Sequence, residues 1–209
     1  YFNYTVKVKA EGNAIRVSVD LDRPLPESFI GQAGFNFELY PVDLFGKSFL
    51  MDGQPGQFPR QANGPVTIDQ EGEVQPVPYA SGKILTIAPE SDAQRMVIES
   101  TGSELLLFDG RTNHNNGWFV VRSLIPSGAT KNAIEWIIRP HAIPGWIQNP
   151  VVQISQVGYH PRQSKIAHVE TDPNDPKRPE MFLYKLDPSG RHKVVKYAKP
   201  REWGDFLRF

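Results

Sequence analysis

Apolar residues recur at every second position along most of this chain, and the runs are ended by glycine and proline. Tyr4, Val6 and Val8 alternate with Thr5, Lys7 and Lys9. After Glu11-Gly12-Asn13, Ile15, Val17 and Val19 alternate with Arg16, Ser18 and Asp20. A period of two puts one set of side chains on one face of a strand. The turn residues between the two runs then predict a β-hairpin. Phe35, Phe37 and Leu39 continue the pattern, and further strands are predicted over 83–88, 95–100, 104–108, 118–123 and 133–139. β-Branched and aromatic residues fill these runs, as a pleated, half-buried surface favours. No window carries an apolar period of 3.6 through three turns; the best, 91–96, is no more than a turn. The class is all-β, with many short strands and Gly/Pro-rich turns.

Two interruptions organise the chain. Between 41 and 82, Pro41, Pro55, Pro59, Pro65, Pro76 and Pro78 break any regular element, which predicts a long ordered excursion. Around Pro140, Pro144, Gly145 and Pro150 a stiff linker is expected, with Trp146 as its one buried anchor. The alternation then restarts at Val152 and Ile154, at Ile166 and Val169, over 181–186 and over 193–197; Asp187-Pro188-Ser189-Gly190 reads as the turn between the last two. The expected division is a β-sandwich-like accessory domain over 1–148, holding the excursion 41–82, and a second β-module over 149–209. The ends fall in strand-like residues, Tyr1 to Tyr4 and Asp205 to Phe209, so a piece of a longer polypeptide is expected.

Composition excludes whole classes of function. The 23 Lys+Arg balance 23 Asp+Glu, which removes the broad electrostatic case for nucleic acid or an anionic membrane. Cysteine is absent, so there is no disulfide framework, thiolate zinc site or cysteine nucleophile. No apolar run approaches the ~20 residues that span a bilayer. The five histidines are too scattered for a zinc set. Asp172, Asn174 and Asp175 offer oxygens to calcium, but Pro173 and Pro176 and the missing EF-hand spacing favour a solvated turn. Ser123 and Ser155 lack a nucleophile elbow, and the glycines follow no phosphate-loop spacing. No cofactor or metal is implied.

The densest polar stretch runs from Asp109 to Trp118. Asp109, Arg111, Asn113, His114, Asn115 and Asn116 carry groups that hydrogen-bond sugar hydroxyls, and Trp118 adds a face on which a pyranose ring can stack. The same residues are turn formers that cap their own backbone, and that structural role is the stronger reading. Glu38, Glu99, Glu104 and Glu135 lie at strand positions that alternate with buried ones, which suits a solvated sheet face. An inverting glycosidase needs two carboxyls about 6.5–9.5 Å apart across a cleft, and no pair is singled out for that here. Trp136 alternates with Ile134 and Ile138 and is expected in the core. Most of the four tryptophans are expected in the core or between domains.

Gln156-Val157-Gly158-Tyr159, then Pro161 and Lys165-Ile166-Ala167, resemble the opening of the immunoglobulin-like module that precedes the catalytic domain in glycoside hydrolase family 9 cellulases. Ser155 stands where that pattern has Asn. Phe182-Leu183-Tyr184, the turn at 187–190 and Trp203 fit the later strands, so the resemblance covers roughly 149–209 and stops short of the last strands. Phe35 to Leu39, Phe58 to Pro65 and Asp109 to Phe119 more weakly resemble the N-terminal extension of bacterial members.

The resemblance implies a parent endo-β-1,4-glucanase, extracellular or periplasmic, whose catalytic carboxylates lie in a helical barrel beyond Phe209. No residue of this chain inherits a catalytic role. The implied function is non-catalytic, to stabilise and position that catalytic domain, with Tyr159, Trp146 and the 109–118 loop as contacts. Its partners are the catalytic domain and a plant-type β-glucan. The rival reading is a carbohydrate-binding module or glycan-binding surface protein, which requires an exposed aromatic platform.

Overall fold

The computed structural model describes residues 2–112, 117–176 and 180–204. They divide into two units, Tyr1–Ile143 and Pro144–Phe209.

The first unit opens with the hairpin that the alternation predicts: β1 (Tyr4–Glu11) and β2 (Ala14–Leu21), in register Val6 to Val19 and Val8 to Val17. Gly12 sits at φ 60° in the turn, a conformation that costs glycine nothing. Then come β3 (Gly34–Leu39), the single turn α1 (Pro41–Leu44), β4 (Ser48–Met51), β5 (Gln54–Gln57), β6 (Val66–Ile68), β7 (Val74–Pro76) and β8 (Ala80–Gly82). The unit closes with β9 (Ile84–Ile87), β10 (Met96–Ser100), β11 (Leu105–Asp109), β12 (Phe119–Leu124) and β13 (Ile134–Pro140).

These strands build an antiparallel β-sandwich. One sheet has the order β1-β2-β13-β10-β9-β4-β5 and the other β3-β12-β11-β8, with β6-β7 as a separate ribbon. Val17, Val19, Leu85, Ile87, Ile98, Ile134, Trp136 and Ile138 from the larger sheet meet Leu39, Leu105, Leu107, Phe119 and Val121 from the smaller in one core. Trp136 is fully buried, with the ring of Phe35 edge-on at 5.1 Å. Its indole N–H donates to Ser123 Oγ across the sandwich at 3.0 Å, and that hydroxyl donates to the Glu104 carbonyl at 2.7 Å. The chain thus satisfies the one polar atom that so large a buried side chain carries.

The excursion 41–82 differs from its expected irregular character. It supplies α1 and five strands, each of only three or four residues. Such short runs carry no readable period; they form because β4 pairs with β9 and β8 pairs with β11. Pro55 falls in β5, the edge of its sheet, where a missing N–H is harmless. Phe58 is fully buried, against Phe49 at 5.3 Å and Phe119 at 4.9 Å.

The outer surface of the larger sheet is laced by charge. Lys7 meets Asp20 at 2.6 Å, and Arg16 joins Glu11 and Glu135 at 2.9 Å each. Arg139 meets Glu99 at 2.7 Å. Of the four strand glutamates named above, Glu99 and Glu135 thus lie outside the core in ion pairs, and Glu38 and Glu104 are exposed, as expected.

The second unit contains two antiparallel pairs: β14 (Val151–Gln153) with β15 (His168–Glu170), and β16 (Met181–Leu186) with β17 (His192–Ala198). A bulge between Leu183 and Tyr184 shifts the second register. The turn at 187–190 closes as predicted, with Gly190 at φ 81° and the Asp187 carboxylate accepting the backbone N–H groups of Ser189 and Arg191. No helix among the described residues is long and apolar enough to cross a membrane.

Candidate functional site

The described residues of the polar stretch 109–118 divide into an inward and an outward half. Asp109 ends β11 with its side chain toward the interior, where it is fully buried. Arg111, two residues on, turns back in the short 3₁₀ turn Gly110–Thr112 and meets both carboxylate oxygens, Nε to Oδ1 and Nη2 to Oδ2, each at 2.8 Å. Its remaining donors reach the carbonyls of Pro59 (2.8 Å), Arg60 (3.0 Å) and Gln61 (3.1 Å). The planar guanidinium also lies over Phe119 at 4.6 Å and Phe45 at 5.1 Å. A fork of fixed donors between aromatic faces is a site for arginine, which lysine cannot reproduce.

This cluster is a clamp. It ties the Pro-rich 58–64 segment to the end of the smaller sheet. Gly64 completes it: a β-carbon there would lie 2.6 Å from Asp109 Cβ. Gly117 lies so close to the Gly110 backbone that no β-carbon fits. Two of the stretches that carry the weaker resemblance, 58–65 and 109–119, are therefore joined through Asp109 and Arg111. Beside it the Tyr79 hydroxyl is buried with no partner among the described residues, and burial together with the Asp109 carboxylate pushes its phenol well above the usual range. A shallow open cleft of about 410 Å3 lies nearby, lined in part by Phe49, Met51, Pro55, Tyr79 and Ser81.

Trp118 belongs to the outward half. It immediately precedes β12 and is 40% exposed. Extending the β3–β12 register by one residue places it opposite Tyr40, which is 53% exposed. The two rings touch, with centroids 5.1 Å apart and planes inclined by 57°. On the same face, Val120 pairs with Glu38 and Arg122 with Asn36. Arg122 Nε donates to Asn36 Oδ1 at 2.8 Å, and its guanidinium lies 5.1 Å from the Phe108 ring centre. Tyr40, Glu38 and Asn36 could not be joined to Trp118 from sequence, because β3 and β12 are some eighty residues apart. The readable signal was the alternation that puts 36, 38 and 40 on one face of their strand and 118, 120 and 122 on one face of theirs.

The other expected contacts fall in the second unit or outside the described residues. Trp146 is 57% exposed, which corrects its expected role as a buried linker anchor. The prolines around it stiffen the backbone but bring no apolar wall to cover the ring. Tyr159 is half-buried, and its hydroxyl accepts the Ser155 N–H at 3.1 Å and donates to the Ile166 carbonyl. It thereby closes the turn of the Gln-Val-Gly-Tyr motif, where Gly158 stands at φ 84°. Asn113, His114, Asn115 and Asn116 lie outside the described residues.

Of the four tryptophans Trp136 is in the core, as expected, whereas Trp118, Trp146 and Trp203 are exposed. Asp172 accepts the N–H groups of Gln148 and Asn174, both at 2.9 Å, which holds its carboxyl below the usual range. Among the described residues no group of three metal-ligating side chains comes together. Comparison with family models, with curated proteins and with solved structures returned no match for this chain.

Proposed function

We propose that this chain is a non-catalytic segment of a polysaccharide-degrading glycoside hydrolase of the β-1,4-glucanase type. Its two β-units stabilise and position a catalytic domain. The observation that carries this reading is the surface of the second unit. Val157 is 99% exposed and Trp203 77%, and Ile154, Ile166, Leu183 and Leu186 are also exposed. Apolar side chains in that number exceed the scattered background of a monomer surface and point to a protein partner. Two two-stranded ribbons are also marginal by themselves in water and gain most from being covered. The motif at 156–159 adds the family resemblance, and with it an immunoglobulin-like module and an extracellular or periplasmic setting.

The polar clusters fit a scaffold. Asp109 and Arg111, a buried ion pair of the first unit, bind each other and the backbone, as a structural clamp does. The test has two arms. Reading the gene beyond Phe209 is expected to reveal a helical catalytic domain, and a stop codon directly after it would overturn the proposal. The pure 209-residue chain is expected to release no reducing sugar from carboxymethyl cellulose or mixed-linkage β-glucan, and release would equally overturn it.

A further inference from the structure

The outer face of the four-stranded sheet differs in kind from the apolar surface of the second unit. Its aliphatic side chains, Leu106, Val120 and Leu124, are half-buried, so what projects is aromatic and polar. At one end stands the Tyr40–Trp118 pair, in contact and exposed. Along the same strands follow Glu38, then Asn36 paired with Arg122. Four residue rises separate Trp118 from Arg122, a strip of about 13 Å.

Hydrogen-bonding capacity on this strip is open. Among the described residues, the Glu38 carboxylate, the Tyr40 hydroxyl and the Trp118 indole N–H make no hydrogen bond. Arg122 uses only Nε, and Asn36 only its oxygen. The buried clamp at Asp109 and Arg111 is the opposite case, with all three guanidinium nitrogens of its arginine bonded to protein acceptors. Glu38 and Arg122 also cancel in charge, so the strip favours neither polyanion nor polycation.

We propose that this face binds an uncharged polysaccharide, with Tyr40 and Trp118 stacking on the C–H faces of pyranose rings and Glu38, Asn36 and Arg122 bonding their hydroxyls. The chemistry matches group by group. A pyranose ring is apolar above and below and carries hydroxyls at its rim; an aromatic face meets the first, and mixed donors and acceptors meet the second. Neutral polymer, rather than pectate or nucleic acid, follows from the balanced strip and the zero net charge of the whole chain. A bound chain would run across a face formed by rigid strands, where little order is lost on binding. The proposal stands on the first unit alone and holds whether or not a catalytic domain adjoins.

The test is affinity electrophoresis of the 209-residue chain in gels containing hydroxyethyl cellulose, mixed-linkage β-glucan, xyloglucan or polygalacturonate. Retardation is expected with at least one neutral polymer and is expected to persist in added salt. Trp118→Ala and Tyr40→Ala are each expected to weaken binding by roughly tenfold, the scale for removing an aromatic face with its contact area. Tyr40→Phe retains the ring and should bind within about threefold of the parent. Both rings are exposed, so the thermal midpoint of each variant should match the parent. Trp146→Ala, in the second unit, should leave retardation unchanged. Absence of retardation by every neutral polymer would overturn the proposal. So would equal retardation of the Trp118→Ala, Tyr40→Ala double variant, loss of retardation on Trp146→Ala, or binding confined to polygalacturonate.

Discussion

Replacing Arg111 by Leu removes the cation from the buried end of the smaller sheet and leaves Asp109 without its partner. Both oxygens of that carboxylate face Arg111 nitrogens at 2.8 Å, and the Asp109 side chain has no access to water. Breaking a buried pair from one side costs about 3–5 kcal/mol, because the remaining charge stays desolvated. The cation–π contacts with Phe119 and Phe45 contribute to the same loss rather than adding to it in full. For a unit of this size that is a fall of roughly 9–15 °C in unfolding midpoint, at about 3 °C per kcal/mol.

Urea unfolding followed by far-UV circular dichroism measures this loss. A second readout isolates the clamp from global stability. Arg60 is an exposed trypsin site whose carbonyl is held by Arg111, so native-state cleavage after Arg60 should accelerate in the variant. Arg111→Lys retains charge but loses the planar fork, and should fall between the parent and Arg111→Leu. Asp109→Leu combined with Arg111→Leu should lose less than the two single changes summed, since neither charge is then stranded. A loss below about 1 kcal/mol for Arg111→Leu would refute the clamp, because that is the range of an exposed pair.

Ser123→Ala strands the Trp136 indole N–H inside the sandwich and should cost about 1–3 kcal/mol in urea unfolding. Gly64→Ala brings a β-carbon to 2.6 Å from Asp109 Cβ and should destabilise by about 1–3 kcal/mol, whereas Gly102→Ala, in open space, should not. The carboxyl of Asp20 is held down to about 2 by the Lys7 ammonium and by the Asn132 N–H, against 3.8 for the free group. Because the folded value is the lower one, this stabilisation is complete above about pH 4 and lost as pH falls toward 2. Thermal midpoints of the parent and of Asp20→Asn should therefore converge across that window, and a constant gap between them would contradict the assignment.

How much was legible depended on the range of the information. The β1–β2 hairpin, the strands β9 to β13 and the ribbon β16–β17 follow from alternation and turn residues that neighbours in sequence supply. The pieces β4, β5 and β8 were not readable. Strands of three or four residues have no period, and they exist because β9 and β11 offer them hydrogen-bonding edges. The polar run 109–118 was visible as composition, but its division was not. Asp109 and Arg111 turn inward because the carbonyls of 59–61 wait there, brought by a segment fifty residues earlier.

The sequence by itself determined that the chain is all-β, that its charges balance and that Trp136 belongs to a core, because each depends only on residue type and local period. Only the tertiary structure decided which side of the sheet each polar residue serves. It set Tyr40 beside Trp118 and Glu38 and Asn36 along the same strip, since the pairing of β3 with β12 is a contact between distant segments. No local pattern encodes such a pairing. It emerges when two sheets bury their apolar faces together and leave the other faces to water and to whatever the protein binds.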